Sequence, residues 1–267
     1  MSRSLSLCFF LCPALLLAGP TIAPTGHELY LTMGPSNTAN VVNDGGRFDG
    51  RLGTSAVNAN NPLVNLWCVD AQLYFNWNTP YRANSLSFAE INGESGAGNN
   101  WAGGSRDVRY EDVLAPDTNP ATPNFRHSTG FTPPSAPGAE ALFRYRMAAY
   151  LLDQYSASAA TGATTELTGA AVGVGKYAPV NSTRNQAIVN AIWAAMDTNT
   201  DSDDRAVPSG NVATWFNRAA AYVNTNWNNS AIWSKWVVVS AWAGSAYVQN
   251  GGNTVQTFLS EVPEPGF

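Results

Sequence analysis

Residues 236 to 248 read WVVVSAWAGSAYV, and this stretch decides the fold class because it follows a middle region with helical patterns. Its β-branched and aromatic residues are typical of a strand. Residues 254 to 259 (TVQTFL) predict one more short strand. We therefore expect strands at the C-terminal end of the chain, after the helices in sequence.

Alternation of apolar and polar residues predicts further strands in the N-terminal half. His27–Met33 alternates in this way, and Val64–Cys68 places its apolar residues on one face of a second strand. The pattern continues in Leu73–Trp77, which predicts additional strand there. The N-terminal half is therefore expected to supply the first strands of an antiparallel sheet.

Apolar residues at helical spacing predict about three helices in the middle of the chain. One covers about Ala139 to Tyr155, one starts near Arg184, and a third follows Ser209 as its cap. Thr183 and Gln186 form a capping-box pattern at the start of the second helix. Strands, then helices, then strands predict one α+β domain whose C-terminal strands return to the sheet.

The N-terminus has the features of a secretory signal peptide. Arg3 precedes the apolar run Leu5–Ala18, which is too short to cross a bilayer. Cleavage after Ala18 would remove Cys8 and Cys12 and leave Cys68 as the one cysteine of the mature chain. We therefore expect an exported protein that forms no intramolecular disulfide.

The composition is poor in charge. Charged residues make up 12% of the chain, about half the usual share of a soluble domain. The net charge is -5, and Lys176 and Lys235 are the two lysines of the sequence. No basic cluster is present that could follow a phosphate backbone, so nucleic acid is not an expected partner.

The C-terminal tail carries a known type of motif. Residues 261 to 267 read EVPEPGF, and two prolines around a glutamate cannot continue a strand or helix. The four central residues are Val262, Pro263, Glu264 and Pro265. They resemble the opening of the PEP-CTERM sorting signal of Gram-negative, exopolysaccharide-producing bacteria. In that family an apolar helix and a basic cluster follow, so we expect residues 261–267 to be the start of a truncated signal.

The PEP-CTERM resemblance implies partners and a location. Proteins of this class are processed by a membrane enzyme called exosortase. The implied partners are the exosortase machinery and an extracellular polysaccharide or cell-surface component. We expect a surface or matrix protein with a structural or adhesive role.

A second resemblance concerns Cys68. Leu66–Asp70 (LWCVD) is similar to the cysteine strand of thioester domains in bacterial surface adhesins, where a Cys bonds covalently to a Gln side chain on a helix. Asn190–Trp193 matches the end of that family's helix motif, but Val189 stands where the Gln belongs. Gln186 lies one turn earlier on nearly the same face. The resemblance implies a thioester-domain-like fold and, as an alternative function, a covalent adhesin that uses Cys68 and Gln186.

An acidic loop follows the second predicted helix. Oxygen ligands at alternate positions suit a calcium loop. The candidate ligands are Asp197, Asn199, Asp201 and Asp203. Ser202 replaces the expected Gly, and Pro208 stands where a bidentate Glu belongs. A solvated acidic loop is therefore the alternative to a calcium site. Calcium is the one cofactor that the sequence suggests.

The sequence offers no catalytic motif, and we expect a protein that is not an enzyme. His27 and His127 lack metal-ligand spacing, and no Gly-x-Ser-x-Gly elbow occurs. A secreted hydrolase is the second alternative, and a polar cleft with shifted pKa values would support it. Trp227, Trp233 and Trp236 belong to a late cluster of tryptophans that either stack on sugars or pack in the core.

Together these patterns divide the chain into three parts. We expect a signal peptide over residues 1–18, a single α+β domain over residues 19–260, and the start of a sorting signal over residues 261–267.

Overall fold

The computed structural model describes most of the strand and helix regions of the chain. The described residues are 26–34, 41–42, 45–53, 63–69, 75–93, 139–155, 162–173, 182–196, 209–242 and 254–261. The strands are β1 (Gly26–Met33), β2 (Val41–Val42), β3 (Gly45–Gly53), β4 (Leu63–Cys68), β5 (Pro80–Ser87), β6 (Trp236–Trp242) and β7 (Thr254–Glu261). The helices are α1 (Phe88–Gly93), α2 (Ala139–Gln154), α3 (Thr183–Met196), α4 (Gly210–Asn226) and α5 (Ser230–Trp233).

Six of the strands close into an antiparallel barrel. The order around the barrel is β1, β5, β6, β7, β4 and β3, and β3 pairs again with β1. The closing pair is in register from Tyr30 opposite Gly53 to Met33 opposite Gly50. β2 extends β3 as a short hairpin. Closure removes the exposed sheet edges at which an open sheet could pair with another chain.

The barrel interior is a compact apolar core. Every second residue of each strand points inward, as the period of a strand requires. Leu31, Leu66, Val239 and Phe258 are fully buried there. At Gly50 a side chain would not fit without movement, because a Cβ atom would lie 2.6 Å from Cδ1 of Leu66. The glycine lets β3 bend close to its neighbours at the point where the barrel closes.

A second core lies outside the barrel, between the strands and a layer of helices. Trp67, Trp236 and Val238 point outward from the strands into this core. The central helix α2 packs against α3 and α4. Every residue from Leu142 to Leu152 is buried, so α2 is enclosed on all sides. The strands therefore separate two cores, one inside the barrel and one under the helices.

The α+β fold class is confirmed, and several of its predicted details are corrected. The described residues contain five α-helices and a short 3-10 helix (Gly169–Ala171) instead of about three helices, because α1, α5 and the 3-10 helix are too short to show a periodic pattern. The strand expected over Leu73–Trp77 is wrong for its described part, since Trp77 and Asn78 form a turn. A turn fits this position because Asn78 has a positive φ of 57°, which Asn tolerates better than most residues.

The start of α3 also differs from the capping-box prediction. The helix begins at Thr183, and the hydroxyl of Ser182 accepts a hydrogen bond from the backbone N–H of Asn185 at 3.2 Å. Ser182 is therefore the cap instead of Thr183, one residue earlier than expected. Ser209 does precede α4 as predicted, but its side chain makes no capping hydrogen bond.

Several predictions lie outside the described residues. They are the signal peptide over residues 1–18 and the sorting motif over residues 262–265. None of the helices in the described ranges has both the length and the apolar composition needed to cross a membrane.

Candidate functional site

A cleft of about 260 Å³ opens in the helical layer. It lies between the C-terminal half of α2, the helices α4 and α5, and the connecting segment 162–173. Its lining includes Tyr150, Asp153, Glu166, Val172, Tyr222 and Trp233. The cleft thus combines aromatic walls with two carboxylates.

The segment 162–173 is held in place by side chains that bond to its backbone. The amide of Gln154 accepts from the N–H of Leu167 at 2.7 Å and donates to its carbonyl at 3.2 Å, as a paired strand would. Arg184 Nε donates to the carbonyl of Thr165 at 3.0 Å. Because these donors and acceptors come from buried residues of α2 and α3, they fix one wall of the cleft.

Helix α4 holds the beginning of the same segment. Trp215 Nε1 donates to the carbonyl of Ala163 at 3.0 Å, and the guanidinium of Arg218 donates to the carbonyl of Thr164. The guanidinium groups of Arg184 and Arg218 lie 4.8 and 5.2 Å from the centre of the Trp215 ring. The buried indole and the two cations therefore form one unit that anchors the segment.

Tyr150 is the central side chain of the cleft. Its hydroxyl donates to Glu166 Oε1 at 2.6 Å, and its ring stacks on Tyr222 with centroids 4.5 Å apart. Burial, followed by the hydrogen bond to Glu166, raises the pKa of Tyr150 far above its usual value. Tyr150 is therefore protonated at neutral pH and orients the Glu166 carboxylate as a donor.

Lys235 connects the cleft to the end of the last strand. Its Nζ lies 3.0 Å from Asp153 Oδ1 and 2.9 Å from Glu261 Oε1. Burial lowers the pKa of Lys235, but Asp153 and Glu261 outweigh that effect and the net shift is upward. Burial and the charge of Asp153 also raise the pKa of Tyr222. Asp153 thus has a cation beside it, whereas Lys235 itself is not among the lining residues.

The arrangement of these groups bears on the hydrolase alternative. A polar cleft with shifted pKa values is what the hydrolase alternative required, and the cleft meets that criterion. However, Tyr150 is held in its protonated form, and Asp153 is in an ion pair. Burial and the hydrogen bond to Glu166 keep the Tyr150 hydroxyl from acting as a base near neutral pH. The described residues of the cleft can also hold a ligand by charge and aromatic contact.

The structure separates Cys68 from the helix of its proposed partner. Cys68 is buried inside the barrel core, whereas the neighbouring Trp67 points into the helical layer. Gln186 lies on α3, and its neighbours Ala187 and Val189 in that helix belong to the core outside the barrel. Cys68 therefore belongs to the core inside the barrel, whereas the neighbours of Gln186 belong to the core outside it. The thioester stays a prediction from the sequence.

The calcium prediction falls outside the described residues. The candidate ligands Asp197, Asn199, Asp201 and Asp203 all follow the end of α3 at Met196. Among the residues that the structure describes, no group of three or more His, Cys, Asp or Glu side chains is placed to hold a metal ion. The calcium loop stays a prediction from the sequence.

Two of the late tryptophans pack in the core and are not available for stacking on a sugar. Trp233 and Trp236 are 2% and 1% exposed. Trp227 is half-buried and lies under the guanidinium of Arg146, 4.3 Å from the ring centre. The side chain of Trp242 is outside the described set.

Sequence reasoning missed the residues of the cleft. Asp153 and Gln154 follow Tyr150 by three and four residues, so the three side chains lie on one face of α2. This spacing was the signal that the sequence offered. Lys235, one of the two lysines of the chain, was a second clue. Glu166 gave no signal, because its contact with Tyr150 exists only in the folded chain.

Comparison with known proteins identifies no relative. The chain matches no protein-family model, no curated protein and no solved structure.

Proposed function

We propose that this chain is an exported bacterial surface or matrix protein with a structural or adhesive role, sorted through its C-terminal motif. The motif is formed by Val262, Pro263, Glu264 and Pro265. Exosortase is the proposed processing enzyme, and the host is a Gram-negative bacterium. An extracellular polysaccharide or a cell-surface component is the proposed surrounding.

The observation that carries this proposal is the position of the motif relative to the fold. The last barrel strand, β7, ends at Glu261, immediately before Val262. β7 lies between β6 and β4, so it is paired on both sides. A sorting signal needs to leave the folded domain to reach a membrane enzyme, and Pro263 and Pro265 cannot extend the strand.

The end of β7 is firmly attached to the rest of the domain. Ser260 Oγ donates to the carbonyl of Asn65 at 2.8 Å, and Glu261 pairs with Lys235 at 2.9 Å. A tether attached at residue 262 would therefore pull on a strand inside the barrel instead of on a loosely attached tail. This attachment suits a protein held at a surface through its C-terminal side.

The test combines sequencing with localisation. Sequencing the source DNA past the codon for Phe267 is expected to show an apolar stretch followed by arginines. The full gene, expressed in a host with and without exosortase, is then expected to reach the surface only with the enzyme. Surface protease accessibility and the mass of the released protein are the measurements.

Substitutions in the motif make the test specific. A Pro263→Ala/Glu264→Ala variant is expected to stay unprocessed in the membrane fraction, whereas Gly266→Ala, just outside the motif, behaves as the unmodified protein. A stop codon after Phe267, or normal surface delivery of the double variant, would contradict the proposal.

A further inference from the structure

The aromatic side chains of the cleft are arranged as walls. Tyr150 and Tyr222 stack with an interplanar angle of 28°, and the Trp233 ring stands at 86° to Tyr222 with centroids 6.1 Å apart. Faces of aromatic rings attract cations, and this attraction grows when the cation leaves water. Because the rings of Tyr222 and Trp233 are nearly perpendicular, a cation in the cleft can contact more than one aromatic ring.

The charge of the cleft points to the same class of ligand. Asp153 and Glu166 are the carboxylates among its described lining residues, and no Lys or Arg is among those residues. Asp153 has Lys235 beside it. Glu166 accepts a hydrogen bond from Tyr150, and within the described part of the chain no cation pairs with it. Glu166 is exposed, so a ligand can reach it.

Arg218 is a competing cation near the cleft, and it is already engaged. Arg218 is close enough for its charge to act on Tyr150. Its guanidinium, however, donates to the carbonyl of Thr164 and stacks near Trp215. The carboxylate of Glu166 is therefore oriented by Tyr150 while its charge remains available to a ligand.

The remaining lining favours an aliphatic chain over a sugar. Val172 is 38% exposed at the rim, and Leu167 and Ile232 also line the cleft. The Gln154 amide, which could otherwise bind hydroxyl groups, is paired with the backbone of Leu167. At about 260 Å³ the cleft is smaller than sites for drug-sized ligands and suits a single side chain.

We propose that this cleft binds an alkylammonium group, the chemistry of a lysine side chain presented by a partner protein. The methylene groups pack against Val172 and Ile232, and the ammonium group lies between Glu166 and the aromatic ring of Tyr222. The proposal is independent of export, because binding is measured on the purified protein. Its failure would leave the sorting proposal standing, and the reverse also holds.

The first test compares two matched peptides. The purified chain is titrated with acetyl-Gly-Lys-Gly-amide and with the same peptide carrying norleucine, which has a similar aliphatic chain without the ammonium group. Calorimetry or NMR is expected to show about tenfold weaker binding of the norleucine peptide, the size of a desolvated cation–aromatic contact. Equal binding of the two peptides would overturn the proposal, as would tighter binding of glucosamine than of the lysine peptide.

Two variants locate the site. Glu166→Gln keeps an acceptor for Tyr150 but removes the charge, and it is expected to weaken lysine-peptide binding about tenfold. Tyr222→Leu removes an aromatic wall and is expected to weaken binding by a similar factor. The control is Glu140→Gln, the same charge change about 15 Å along α2 from Tyr150. Unchanged binding in Glu166→Gln, with a circular dichroism spectrum like that of the unmodified protein, would contradict the assignment.

Discussion

The two cores of this protein are stabilised in different ways. The barrel interior is apolar, with side chains such as Leu31, Leu66 and Phe258 fully buried. The helical layer instead buries three arginines, Arg144, Arg146 and Arg184, at 2%, 8% and 2% exposure. The difference follows from the backbone. Paired strands satisfy each other's carbonyl groups around a barrel, whereas every helix ends with carbonyl groups that have no partner within the helix.

Each buried arginine bonds to the C-terminal end of a different helix. Arg184 Nη1 donates to the carbonyl of Gln154 at the end of α2 at 2.5 Å. Arg144 Nη1 donates to Ala195 near the end of α3 at 3.2 Å. The three long helices have no basic residue in their own last turns. Neighbouring helices therefore supply the positive charge that a helix C-terminus favours.

The third arginine adds aromatic contact to this role. Arg146 Nη1 donates to the carbonyl of Trp227, just past the end of α4, at 2.6 Å. Its guanidinium also lies 4.3 Å from the Trp227 ring centre and 5.1 Å from that of Trp233. Burial lowers the pKa of Arg146 to about 10, so it is still charged at neutral pH. The helical layer thus adds charge and hydrogen bonds to its apolar packing, whereas the barrel interior depends mainly on apolar packing.

The largest expected effect comes from opening a cavity in the barrel. Phe258 is fully buried, with its ring centroid 5.8 Å from that of Phe75 and 6.3 Å from that of Phe48. Phe258→Ala is expected to lower the free energy of unfolding by about 3–5 kcal/mol. Denaturant titration is the measurement. Leu63→Ala, on an exposed residue of β4, is the control and is expected to change it by about 0.5 kcal/mol or less. A loss from Phe258→Ala as small as that of the control would show that the barrel core is not tightly packed.

A smaller loss is expected from removing one buried arginine. Arg184→Met keeps an unbranched chain beside Trp215 but leaves the carbonyl groups of Gln154 and Thr165 without this donor. We expect a loss of about 2–4 kcal/mol and faster amide hydrogen exchange in residues 162–173. Arg184→Lys retains the charge but lacks the planar guanidinium group. Its free energy of unfolding is expected to lie between those of Arg184→Met and the unmodified protein. If Arg184→Met were as stable as the unmodified protein, apolar packing alone would account for both cores.

The parts of the fold that could be predicted are those with a local pattern in the sequence. The long helices α2, α3 and α4 were predicted because their apolar residues recur at helical spacing. β3 was missed because Gly45–Gly53 reads GGRFDGRLG, in which glycine and charge hide the strand pattern. Its Gly50 is needed for close approach inside the closed barrel, a requirement that has no local signal. Barrel closure was likewise missed, since it depends on the pairing of β1 with β3.

The cleft could not be predicted, because it is assembled from distant parts of the chain. Its lining residues Tyr150, Glu166, Tyr222 and Trp233 belong to four different segments, and none forms a motif with its sequence neighbours. The resemblance at Cys68 instead concerns a residue in the core inside the barrel. Local sequence around Cys68 indicates a strand correctly but does not show on which side of the sheet the helices lie.

The smallest expected effect at neutral pH concerns Tyr155, which lies in the core under the helices. Its ring centroid is 5.1 Å from that of Trp67, and its side chain is 1% exposed. Within the described residues its buried hydroxyl has no hydrogen-bond partner. Tyr155→Phe is therefore expected to change the free energy of unfolding at pH 7 by less than about 1 kcal/mol, in the stabilising direction.

Alkaline pH makes the same substitution more informative. Burial raises the pKa of Tyr155 from 10.0 to about 12. Between these values the unfolded chain loses the phenolic proton and the folded chain keeps it. The unfolded state then binds fewer protons, so stability falls by about 1.4 kcal/mol for each pH unit. Tyr155→Phe removes this contribution, and its advantage over the unmodified protein is expected to grow from pH 10 to pH 12 in denaturant titrations. A constant difference across that range would mean that the hydroxyl ionises equally in both states, and a large loss at pH 7 would mean that it is bonded after all.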